Sequence, residues 1–143
     1  MLSLAPDVSR FNIRATDPLA PPLRAVLRGA HHILWLGPDE YLAMGDGPPD
    51  IAAESLVDVS HRTVGIRLEG ARAAWCVNAF CPLDLDDLPP GGCARTLFGK
   101  AEIVLWRRSD TVFHIETARS FLPYVWGCLE EARREFLPAS PVC

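Results

Sequence analysis

The chain has 143 residues, of which 49% are hydrophobic and 22% charged, with a formal net charge of −4 and a single lysine, Lys100. That length and composition define one folded domain with a small core and exclude a disordered tail. The acidic balance and the absence of any Lys/Arg run exclude nucleic-acid binding by phosphate neutralisation, and no apolar run approaches the roughly 18–20 residues of a membrane span.

The opening "MLSLAPDVSRF" has no basic segment leading into an apolar one, which predicts no secretory signal and a cytoplasmic location. Five cysteines, Cys76, Cys81, Cys93, Cys128 and Cys143, are odd in number and form no CxxC pair. They read as small buried apolar residues in a reducing compartment, not as a zinc site. Four Trp and six Phe exceed what so small a core needs, which points to apolar surface covered by another chain.

Residues 1–30 form an N-terminal arm in which "ATDPLAPPLRAVLRGA" leads into one short helix, with Leu23, Val26 and Leu27 on one face and Gly29 stopping it. A single domain over 31–137 and a loose tail over 138–143 follow. Ile33 to Leu36 and Tyr41 to Met44 are two strands joined by a turn at Gly37-Pro38-Asp39-Glu40. "DIAAES" is one helical turn capped by Asp50.

The stretch "VDVSHRT", Val57 to Thr63, raises the chief chemical question, because an acid, a serine and a histidine stand within four residues of one another. Val57 and Val59 share one face of a strand, whereas Val64, Ile66 and Leu68 have the opposite parity. A regular strand cannot hold both sets on one face, so a break falls near His61-Arg62-Thr63. Within a regular strand Ser60 and His61 point to opposite sides, and no Gly-x-Ser-x-Gly elbow is present, which argues against a nucleophile with its base. The expected role is polar pairing of Asp58 with Ser60 or nearby backbone, and of Arg62 with an acid.

"EGARAAWCVNAF" reads as a helix with Ala71, Ala74, Trp75 and Asn78 inward. "CPLDLDDLPPGG" is a surface turn, since Asp84, Asp86 and Asp87 lack the ladder and closing Glu of a calcium loop. Cys93 to Phe98, Ile103 to Arg107 and Val112 to Thr117 make a β-meander, with a tight turn at Arg108 to Asp110. The final helix takes Ser120 as its cap and Pro123 in its first turn, with an apolar stripe of Phe121, Val125, Cys128, Leu129 and Ala132. Gly127 in mid-helix implies close packing against it. The four histidines, His31, His32, His61 and His114, are scattered and read as satisfied sheet or surface residues. The fold class is α+β, a largely antiparallel sheet with helices packed on one face.

"LWLGPDEYLAM", "LVDVSHRTVGIRLEG", "CPLDLDDLPPGGCARTLFGKAEIVLWRR" and "DTVFHIETARSFLPYVWGCLEEA" occur in that order. As an ordered set over residues 33–132 they resemble the gamma subunit of heterotetrameric sarcosine oxidase. That family is similar to the folate-binding fold of the glycine-cleavage T-protein, an aminomethyltransferase. The resemblance implies a structural role for Asp58, Ser60, His61 and Arg62, and for Arg95 in "CART". It places Ala101 where the T-protein carries its catalytic Asp and Glu102 at the second acid, so no catalytic residue is expected in this chain.

The resemblance further implies a complex of alpha, beta, gamma and delta subunits that oxidatively demethylates sarcosine to glycine, producing hydrogen peroxide and 5,10-methylenetetrahydrofolate. This chain would carry no cofactor and no metal. FAD, FMN, NAD, tetrahydrofolate and zinc would reside in the partner subunits. It would contact alpha directly and support its assembly beside beta and delta, through aromatic residues of which Trp106, Tyr124 and Trp126 are the candidates. Two other readings are a small stand-alone folate-binding or aminomethyltransferase-like protein, with Glu102 or Asp58 engaging the pterin, and a hydrolase using Ser60 and His61.

Overall fold

The structure, a computed structural model, describes residues 1–136. The strands are β1 (Leu2–Leu4), β2 (Ser9–Arg14), β3 (Ala25–Arg28), β4 (His31–Gly37), β5 (Glu40–Gly45), β6 (Ser55–Asp58), β7 (Thr63–Glu69), β8 (Cys93–Phe98), β9 (Ala101–Arg107) and β10 (Val112–Ala118). The helices are α1 (Ala73–Asn78), between β7 and β8, and α2 (Leu122–Phe136), after β10. The strands form two five-stranded antiparallel sheets, ordered β1-β7-β10-β9-β8 and β3-β4-β5-β2-β6. The chain is therefore α+β, with two sheets where the sequence suggested one. Among the described residues no helix is long and apolar enough to cross a membrane.

Alternation along the strands builds the layers. Ile66 and Leu68 of β7, Ile103 and Leu105 of β9, and Phe113 and Ile115 of β10 all point to one face of the first sheet. There they meet Val125, Leu129 and Ala132, which recur at helical spacing on α2. Each fully buried Ile, Leu or Phe contributes about 1.5–3 kcal/mol relative to exposure. The alternate residues of the first sheet, Cys93 and Trp106 among them, turn towards Leu34, Leu42 and Met44 of the second. The far face of the second sheet, Ile13, Ile33, Tyr41 and Ala43, is closed by Ala15, Leu19 and Ala20 from the loop after β2.

The meander β8-β9-β10 and the β4–β5 hairpin lie where the alternation put them. The expected break does more than bend a strand. Ser60 to Arg62 form a turn, β6 ends in the second sheet, and β7 begins in the first.

Several local expectations are corrected. The helix expected within 1–30 is absent, and that segment supplies β1, β2 and β3. Leu23 adopts φ 58°, which redirects the chain after Pro21-Pro22 so that Ala25–Arg28 pairs with β4, and Gly29 at φ 61° makes the hairpin turn. Residues 51–53 form no helical turn and belong to no strand. In α1 the buried residues are Ala73, Cys76 and Val77, while Trp75 is 55% exposed with the Arg72 guanidinium over its ring. Gly70 N–H, just before the helix, donates to Thr111 O, and Ala73, Cys76 and Val77 join the core formed with α2 and the first sheet. Ser120 lies inside a 3-10 turn, Arg119–Phe121, ahead of α2, and Phe121 is exposed. A Cβ at Gly127 would meet nothing within 4 Å, so the close packing expected there is not made within this chain. The loose tail expected over 138–143, with Cys143, lies outside the described residues.

Candidate functional site: the polar seam between the sheets

The turn that carries the chain from one sheet to the other is held by its own polar residues. Ser60 N–H donates to the Asp58 carboxylate at 2.9 Å, and the Ser60 Oγ accepts from the Arg10 N–H at 2.8 Å. Hydrogen bonding from Ser60, through its side chain and then its backbone, holds the Asp58 carboxyl below the usual carboxylate range. The pairing of Asp58 with Ser60 is the one expected. The His61 side chain is exposed and makes no hydrogen bond among the described residues, while its carbonyl accepts from Arg119 Nε at 3.1 Å. The Ser60 hydroxyl is thus engaged by main chain and not by an imidazole. Arg62 contributes its N–H to Val59 O and its carbonyl to the Arg119 N–H. The ion pair expected for its side chain is not made among the described residues, because the side chain lines an open cleft instead.

Behind this turn lies a buried ionic cluster. Arg10 on β2 donates from Nε to Glu116 Oε2 at 2.7 Å and from Nη2 to Oε1 at 3.1 Å, and each side chain is 1% exposed. Glu116 also accepts from Thr63 Oγ1 at 2.8 Å and contacts His114 Nε2 at 2.7 Å. Burial pushes the Glu116 carboxyl up, but the bonds from His114 and Arg10 and their charge outweigh it and leave it below the usual value. A carboxylate has about four lone-pair sites, and all are occupied here. Glu116 therefore has no acceptor left with which to take a proton from a substrate. Gly65 is required beside it, since a Cβ there would stand 2.6 Å from the His114 ring and 2.8 Å from Glu116 Oε1.

Two clefts flank the cluster. One, of about 290 Å³, is lined by Arg62, Thr63, Arg95, Glu102, Glu116 and neighbours. Its rim is tied by Glu40 of β5, which accepts from Asn12 and from Arg95, each at 2.9 Å, so that Arg95 joins the two sheets. Burial raises the Glu40 carboxyl, but the bonds from Arg95 and Asn12 bring it below the ordinary value. The other cleft, of about 360 Å³, lies on the far side of the cluster against Trp106.

Ala101 is fully buried in the helix-facing core, and Glu102 is exposed at 3.8 Å from Arg95. Of the aromatic candidates for a partner surface, Trp106 is only 6% exposed and packs between the His32 and His114 rings, which leaves it little surface for a partner. Tyr124 is 36% exposed, with its hydroxyl accepting from the Lys100 N–H at 3.1 Å. Trp126 is half-buried against the helix-facing core. The residues that organise the seam, Arg10, Glu40, His114 and Glu116, were not singled out from sequence. His114 and Glu116 had a signal, as polar residues alternating with Phe113 and Ile115. Arg10 had none, since a lone Arg in a strand reads as exposed. Among the described residues no group of three His, Cys, Asp or Glu is placed to hold a metal ion.

No family model matches the chain. In fold it is similar to a chain of the heterotetrameric sarcosine oxidase from Corynebacterium sp. U-96 in complex with pyrrole 2-carboxylate, with a TM-score of 0.85 and 23% identity, covering 97% of this chain and 86% of that one. In sequence it is similar to curated proteins named sarcosine oxidase subunit gamma. The relative from Corynebacterium sp. (strain P-1) is 28% identical over 116 residues, 73% of this chain and 57% of the relative. That from Corynebacterium sp. (strain U-96) is 28% identical over 119 residues, 75% of this chain and 58% of the relative. That from Arthrobacter sp. is 27% identical over 121 residues, 76% of this chain and 59% of the relative. The chain thus spans under two thirds of the length of the curated relatives it matches. The resemblance to the gamma subunit of heterotetrameric sarcosine oxidase is borne out by these relatives' names and by the structural likeness.

Proposed function

We propose that this chain is the gamma subunit of a heterotetrameric, folate-linked sarcosine oxidase, an oxidoreductase that demethylates sarcosine to glycine. Its part is to support the alpha subunit in assembly beside beta and delta, with no catalytic step of its own. FAD, FMN, NAD, tetrahydrofolate and zinc belong to the partner subunits, and the fold is related to the folate-binding fold of the T-protein. The observation that carries this reading is the fold likeness over nearly the whole chain, joined to relatives that bear the gamma name. The seam chemistry supports it. Glu116 is saturated with donors, Ser60 is bonded to main chain, and Ala101 lies in the apolar core. The lone chain is tested by a sarcosine-dependent peroxide assay and by equilibrium dialysis with tetrahydrofolate. Neither peroxide nor retained folate is expected. Folate binding by the lone chain would favour the stand-alone folate-binding protein instead.

A further inference from the structure

The cleft of about 360 Å³ against Trp106 joins an apolar floor to a cationic rim. Val8, Met44 and Trp106 supply the floor, with Ala5 and Pro6 of the β1–β2 connection as one wall. Arg67 of β7, Arg108 just after β9, and His32 of β4 bring nitrogen donors to it from both sheets. Arg108 makes no ion pair and no side-chain hydrogen bond among the described residues, although its guanidinium lies 4.5 Å over the Trp106 ring. The His32 ring lies 4.8 Å from the Trp106 ring, tilted by 55°, but makes no hydrogen bond among the described residues. Arg67 spends one N–H on Glu69 at 3.1 Å and keeps the rest of its fork. The acid at the mouth, Asp46, is exposed and neutralises neither arginine. Burial and the nearby Arg67 both lower the Arg108 pKa, and burial, Arg108 and His114 lower that of His32. Arg108 thus stands beside Arg67 with no carboxylate of its own among the described residues, and Arg67 shares its charge with Glu69 alone.

We propose that this cleft binds a small carboxylate carrying an apolar body. The carboxylate is held at the rim by Arg108 and Arg67, with the His32 ring beside them as a further donor, and the body lies on Val8, Met44 and Trp106. Guanidinium forks match the planar carboxylate, and a cavity of this size is typical of small-molecule sites. The assignment is independent of the subunit reading, because it rests on this chain's residues alone.

The test is titration of the full chain with hexanoate, followed by the Trp106 indole signal in a two-dimensional nitrogen–proton spectrum. Trp106→Phe identifies that signal. Hexanamide has the same body without the charge, and inorganic phosphate has the charge without the body. A saturable shift with hexanoate is expected, with both comparison compounds at least about tenfold weaker and Arg108→Gln weakening hexanoate by about tenfold or more. The proposal is overturned if hexanoate gives no saturable shift, if hexanamide or phosphate binds as well, or if Arg108→Gln binds hexanoate like the parent. Arg108 is at the exposed rim, so the fold should survive its loss. Should it not, Arg67→Gln and the hexanamide comparison decide the matter in the same way.

Discussion

Arg10 of β2 and Glu116 of β10 are 106 residues apart in sequence, yet they form a bidentate ion pair that crosses from one sheet to the other with both side chains buried. The pair fixes the register of the two sheets against one another, because its two parallel bonds tolerate little sliding. Removing one partner leaves the other charge buried and unpaired. Glu116→Leu is therefore expected to destabilise the chain by about 3–5 kcal/mol, whereas Arg10→Met with Glu116→Leu together should recover most of that loss. Urea unfolding of the single and double variants measures this, and a single variant as stable as the parent would contradict it.

The two glycines Gly65 and Gly127 should respond oppositely to alanine. At Gly65 the new methyl meets His114 and Glu116, which are themselves locked in the ionic cluster. Overpacking of that kind costs about 1–3 kcal/mol. At Gly127 the methyl meets nothing and helix propensity improves by about 1 kcal/mol. Thermal unfolding of both variants separates them by sign.

The turn at Ser60 yields a similar contrast. Ser60→Ala removes the acceptor for the Arg10 N–H and should cost about 1 kcal/mol, while His61→Ala should change stability by less than about 0.5 kcal/mol. A hydrolase using Ser60 and His61 would instead lose esterase activity in both variants, and the parent is expected to have none.

Acid should weaken the fold through its paired carboxylates. Glu116 and Glu40 have folded-state pKa values below their ordinary 4.5, and Asp58 lies below its ordinary 3.8. A carboxyl with a depressed folded pKa contributes stability that is fully present above its unfolded value and is lost as pH falls towards the folded one. Urea midpoints should thus fall gently below about pH 6.5, where the lowered pKa of His32 makes the unfolded chain bind the extra proton, and more steeply below about pH 4.5 as the carboxyls protonate. Glu40→Gln should make that fall shallower, and an unchanged slope would remove Glu40 from the account.

The thiols should react unevenly. Burial pushes the Cys93 thiol up to about 12 and also raises Cys76. Both should resist iodoacetamide at pH 8 until denaturant is added, while the half-buried Cys128 reacts in the folded chain. Peptide-resolved mass spectrometry reads the order.

The sequence made the meander and the sheet-changing turn legible because both depend on local alternation. Phe113 and Ile115 against His114 and Glu116 is a period of two, and the parity change between Val59 and Val64 is visible without any tertiary contact. The first thirty residues were not legible for the opposite reason. Phe11 and Ile13 do alternate in β2, but Arg10 is buried only because Glu116 waits on a strand a hundred residues later. Likewise β3 forms because Leu23 turns the chain onto β4, and nothing in "PPLRAVLRG" outweighs its helical spacing. The phase of α1 is not legible from Trp75, which looks like an inward residue, because packing against α2 and the first sheet places Cys76 and Val77 inward instead.

The proposed role in assembly is tested by co-expressing this chain, tagged, with the alpha, beta and delta subunits. Affinity capture is followed by native mass and a visible spectrum. A yellow four-subunit complex that oxidises sarcosine is expected. Capture of this chain alone and colourless, with the other three assembling and active without it, would contradict the account.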